Sequence, residues 1–165
     1  VVEDLYLDSL REEPPLSMPA SEVRRYRLDV EDETVRSEVL YDGSFELPRV
    51  REDREGRPYR YAYGVGHRNV PPEEFPNRLV KFDADDREAT VWEEDGTYPS
   101  EPVFVPSPED DGEDDGVILS VFLEPAEESS FLLVLDAEGF EEIARCRVDH
   151  PVPHGFHGGF YRRRV

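Results

Sequence analysis

The sequence predicts an all-β chain: two four-stranded antiparallel units preceded by an N-terminal strand pair. Three observations carry that prediction. Helical periodicity is almost absent, and fifteen prolines spread through 165 residues remove the amide donors that long helices need. The apolar segments are short, rich in β-branched and aromatic residues, and bounded by turn formers. Their order repeats after a little over fifty residues.

Taken in order, strands are expected at Val23 to Val30 and Ser37 to Tyr41, the leading pair. The first unit follows with Phe45 to Val50, Tyr59 to Gly66, Arg78 to Asp83 and Glu88 to Glu93. The second follows with Val103 to Pro106, Val117 to Glu124, Phe131 to Asp136 and Glu142 to Val148. Asp83-Ala84-Asp85 and Asp136-Ala137-Glu138 occupy the same hairpin, between the third and fourth strands of each unit. Four strands at this period are the pattern of β-propeller blades. Two blades cannot close a ring, which takes about four to eight. The chain therefore reads as part of a larger propeller, with a small β-sandwich as the alternative. In a propeller the first strand of each blade lines the axis. Glu46 and Glu101 begin those strands and would point to one axial region.

Forty acidic residues face nineteen basic ones, for a formal charge of −21, and Lys81 is the only lysine. Hydrophobic residues make up 37% of the chain, too many for a disordered acidic segment. The acidity reads as a solvated surface of the kind found in salt-loving microbes, where salt screens self-repulsion. A nucleic-acid partner is not expected, because nothing here would displace phosphate counterions and Arg162-Arg163-Arg164 is too short a basic run. The single Cys146 permits no internal disulfide and no cysteine zinc site, which suggests a reducing, cytoplasmic setting. Val117 to Leu123 is too short to span a bilayer. The opening at Val1, with no initiator methionine and no signal peptide, is compatible with a fragment or a trimmed chain.

The residues that promise chemistry lie near the C-terminus. His150, His154 and His157 form an H-x3-H-x2-H cluster, and imidazole suits zinc, copper or iron. Pro151, Pro153 and Gly155 rule out the helix that would bring the three rings together. His67, between a Gly-Val-Gly segment and a proline-rich loop, reads as a surface loop residue. A pairing of His157 with Glu101 is stronger, because a metal-bound histidine usually donates its second ring N–H to a carboxylate. Glu101 sits between Pro99 and Pro102 in a stiff segment. Glu46 has the same form but no obvious histidine of its own.

Phe45-Glu46-Leu47-Pro48, Tyr59 to Gly66, Tyr98 to Val105, Glu113 to Ser120 and Gly155-Phe156-His157-Gly158 come in an order and spacing that resemble the carotenoid oxygenase family. The resemblance covers most of the chain beyond about residue 40, with residues 1–40 a loosely matched lead-in to a single propeller domain. It implies a seven-bladed propeller with Fe(II) on its axis, held by four histidines that three glutamates orient. It implies that His157 is one iron ligand, that Glu101 orients it, and that Glu46 orients a histidine outside this chain. Phe45 and Phe156 would line an apolar substrate tunnel. The implied reaction is O₂-dependent cleavage of a carotenoid or apocarotenoid double bond to two carbonyls, with the isolated chain inactive. Peripheral membrane contact would come through the part outside this chain. The retinoid isomerase branch shares the same site motifs. A non-catalytic propeller or β-sandwich binding module, and a different metalloenzyme built on the local histidine cluster, are the other two readings.

Overall fold

A computed structural model describes residues 21–69, 75–109, 112–155 and 157–161. Among the described residues eleven strands form three antiparallel sheets. Strands β1 (Val23–Asp29) and β2 (Thr34–Tyr41) make a hairpin. The first blade contains β3 (Glu46–Arg49), β4 (Tyr61–Gly66), β5 (Arg78–Asp83) and β6 (Glu88–Glu93), paired in that order. In the second, β9 (Gly116–Glu124), β10 (Ser129–Asp136) and β11 (Glu142–Val148) are joined by two short segments, β7 (Tyr98–Pro99) and β8 (Val103–Pro106), which both pair with β9. All ten expected strands are present; β7 is the addition.

The central strands of the first blade, β4 and β5, are buried on both faces, and the alternation of their side chains says why. Side chains of a strand point alternately to opposite faces. Tyr63, Val65 and Leu79 join a core with Phe104, Ile118, Phe122, Phe131, Leu133 and Leu135 of the second blade. Ala62, Val80 and Phe82 face the other way and pack with Leu40 and Phe45 on the side of the hairpin. Both sets are apolar, so β4 and β5 read as continuous buried runs rather than as half-polar strands.

The blades are also joined by polar groups. Lys81, which follows Leu79 on the face toward the second blade, is 7% exposed. Its ammonium donates to Asp114 Oδ2 at 2.7 Å and to the carbonyls of Ala137 and Glu138 at 2.7 and 2.9 Å, using all three N–H bonds. It also lies 4.3 Å from the centre of the Tyr61 ring. Nearer the outer edge, Arg145 on β11 grips Glu94 with two hydrogen bonds of 3.0 and 2.6 Å, and this holds the Glu94 carboxyl below its ordinary range.

One turn design recurs. Asp29, Asp83 and Asp136 each end a strand and accept backbone N–H groups two or three residues on, at 2.6 to 3.1 Å. Glu33, Arg87 and Phe140 then take the left-handed conformation near the next strand, with φ of 51°, 60° and 58°. An aspartate suits the first role because its short carboxylate mimics a turn carbonyl. Cys146, expected in an apolar-alternating strand, lies on the exposed side of β11.

Candidate metal centre

The innermost strand of each blade loses its regular ladder beside its glutamate. On β3, Glu46 pairs with Val65 and Arg49 with Tyr63, so three steps on one strand meet two on the other. Leu47, with φ of +48°, takes up the extra residue of this bulge. The bulge restores Glu46 and Arg49 to one face of the sheet, although their spacing in an unbroken strand would put them on opposite faces. Gly64 on β4 lets β3 approach closely: a Cβ there would lie 2.6 Å from the Glu46 carbonyl oxygen. In the second blade Ser100, Glu101 and Pro102 fill the gap between β7 and β8. The Ser100 backbone is tied to β9 by its N–H, which donates to the Val121 carbonyl at 2.8 Å, and by its carbonyl, which accepts from Ser120 Oγ at 2.8 Å.

Glu101 is thereby held almost out of solvent, at 5% exposure. Its Oε1 lies 3.0 Å from His157 Nδ1, and its Oε2 accepts the Gly158 N–H at 3.0 Å. An ionised carboxylate can only accept, so the Nδ1 of His157 carries the proton, and in the neutral form of the ring Nε2 is the ligating nitrogen. That is the tautomer a metal ligand needs, fixed by the partner it usually has. The His157 side chain is 67% exposed, where a ligand ring must be open to an ion. The donor chemistry fits one corner of an iron coordination shell, since neutral imidazole suits iron among other metals.

Glu46 is placed differently. Its Oε1 accepts from Ser21 Oγ at 3.4 Å and lies 3.9 Å from His67 Nδ1, and its side chain is 33% exposed. His67, expected on a surface loop, is buried at 7% exposure just past the end of β4, with Nδ1 2.9 Å from Ser44 Oγ. The reason is a close approach between two chain segments. The Cβ-free Gly66 lets the chain pass close to the Ser44 carbonyl, and this draws the next residue inward.

His150 and His154 do not join His157. Both are exposed, and His154 stacks on Phe75 with ring centres 5.8 Å apart. Among the described residues no group of three or more His, Cys, Asp or Glu side chains is gathered to hold an ion. Phe45, Glu101 and His157 line one groove of about 650 Å³, together with Arg49, Pro48 and Phe82. Phe45 forms its apolar wall, packed edge-on against Phe82. Phe156 lies outside the described residues. Arg49 escaped the sequence reading: its Nη1 is 3.5 Å from Glu101 Oε2, a contact between blades that depends on the bulge. No described helix is long and apolar enough to cross a membrane.

The family model described as Retinal pigment epithelial membrane protein (RPE65) matches residues 1–162. The mitochondrial carotenoid-cleaving dioxygenase of Homo sapiens is 47% identical over 121 residues, covering 72% of this chain and 20% of its own length. The chloroplastic carotenoid cleavage dioxygenase 8 homolog A of Oryza sativa subsp. japonica is 38% identical over 147 residues, covering 86% of this chain and 26% of its own. This chain thus spans about a fifth to a quarter of these relatives. Among solved structures, an ACO/RPE65 chimera superposes with a TM-score of 0.83 and 26% identity, over 87% of this chain and 31% of that one. Cobalt-substituted Synechocystis ACO gives a TM-score of 0.76 and 27% identity, over 82% and 29%.

Proposed function

The chain belongs to the family of the retinal pigment epithelial membrane protein and the carotenoid oxygenases, whose solved structures are β-propellers, and on that footing we propose that it is the C-terminal portion of a seven-bladed Fe(II) oxygenase that cleaves a double bond of a carotenoid or apocarotenoid. The hydrogen bond between His157 Nδ1 and the buried Glu101 carries this reading. Bound iron would supply the centre at which O₂ and the polyene react to give two carbonyl products.

The residues of this chain bind and orient. His157 offers Nε2 to the ion, and Glu101 pins its proton and raises its basicity. Glu46 orients a second histidine, which, with the two remaining ligands, lies outside this chain. Phe45 lines the groove toward an apolar substrate, which binds mainly by burial. Cleavage is favoured over isomerisation because the relatives at 47% and 38% identity are named as carotenoid-cleaving enzymes. The cobalt substitution named for the Synechocystis relative supports a metal in proteins of this fold. A cytoplasmic site of action, peripheral contact with a membrane, and the salt-adapted surface belong to the same proposal.

The test uses the polypeptide that carries this chain together with the other ligands, loaded with Fe(II) and given an apocarotenal. Two carbonyl products in an O₂-dependent reaction are expected. His157→Ala should abolish both iron retention and cleavage, and the 165-residue chain alone should be inactive. Full iron content in His157→Ala would overturn the assignment.

A further inference from the structure

We propose that Arg49 is a positioning residue that moderates the charge Glu101 lends to His157, and so biases a bound iron toward its ferrous state; this rests on the reading of His157 as an iron ligand. Three observations meet at one oxygen. Arg49 Nη1 lies 3.5 Å from Glu101 Oε2, the atom that also accepts the Gly158 N–H. The Glu101 side chain is 3% exposed and that of Arg49 is 26% exposed, so water screens the pair only in part. The bulge at Leu47 aims Arg49 across the blade boundary and onto the groove that Glu101 and His157 share.

The sign follows from the arrangement. Glu101 draws on the Nδ1 proton of His157, which pushes electron density toward Nε2 and favours the more highly charged metal. A guanidinium on the opposite oxygen withdraws part of that charge. It also adds a fixed positive charge to the site, which opposes a further positive charge on the metal. Both effects favour Fe(II) over Fe(III). Arginine suits the position because it stays protonated and its planar head can face a carboxylate from a neighbouring strand.

The experiment compares Arg49→Gln, Arg49→Lys and His157→Ala in the iron-loaded full-length protein, reading iron content and reduction potential. Arg49→Gln should keep iron but shift its potential downward, with the ratio of ferrous to ferric affinity falling by about tenfold. Arg49→Lys should stay close to the parent. An unchanged potential in Arg49→Gln, or the same change in both Arg49 variants, overturns the proposal. Loss of iron from Arg49→Gln would also overturn it, because Arg49 would then hold the site together rather than bias the metal. Iron retained in His157→Ala would instead sink the ligand assignment beneath it.

Discussion

The two blades carry the same device and complete it to different degrees. In each, the innermost strand breaks its ladder beside a glutamate: a bulge at Leu47 follows Glu46, and a gap between β7 and β8 holds Glu101. Glu101 then meets His157 and the Gly158 amide at 3.0 Å and is 5% exposed. Glu46 is more open, with Ser21 at 3.4 Å and His67 at 3.9 Å. The difference teaches that a broken inner strand aims a carboxylate, while the segment beyond the blade decides what that carboxylate orients. Among the described residues, only the second blade receives such a segment, the stretch through Gly155, His157 and Gly158.

The largest effect on this comparison should come from uncoupling the blades. Lys81→Met leaves Asp114 and two carbonyls without their shared donor, and should lower stability by about 3 kcal/mol. The urea midpoint measures it; a loss within experimental error would mean that the blades hold together without the Lys81 contacts. Next come the two glutamates. Glu101→Gln should weaken iron affinity in the full-length protein by about 10- to 100-fold. Glu46→Gln should leave the ring environment of His157 unchanged while it also weakens iron, because it acts through another histidine. Metal titration of both variants, with NMR of the His157 ring, separates them; identical perturbation of His157 would break the comparison.

The smallest effect concerns Tyr63, which reaches from the first blade to stack between Phe104 and Phe140. Its hydroxyl is buried without a hydrogen-bond partner among the described residues, and burial pushes the phenol well above its ordinary range. Tyr63→Phe should therefore raise stability by about 1 kcal/mol. A lower thermal midpoint would show that the hydroxyl has a partner such as an ordered water.

The strands were legible because their physics is local. Period-two burial marks β9 and β10, continuous apolar runs mark β4 and β5, and aspartate turns end β1, β5 and β10, with Asp83 and Asp136 beginning matching hairpins in successive blades. The pairing of Glu101 with His157 was legible through motif order, 56 residues apart, and the geometry agrees at 3.0 Å. His67 was misread because its burial depends on a close approach to Ser44 that no local pattern announces. Arg49 was missed for a similar reason.

By itself, then, the sequence determined ten of the eleven described strands, the repeat of the blades and the residue types able to meet an ion, all of which follow from chemistry within a few positions along the chain. Tertiary structure alone decided which carboxylate oxygen faces which cation. A single extra residue in the β3 ladder reverses the face on which Arg49 lies, and Lys81 finds its three acceptors only when the second blade packs against the first. Such contacts join residues far apart in sequence through backbone geometry that side-chain pattern does not encode.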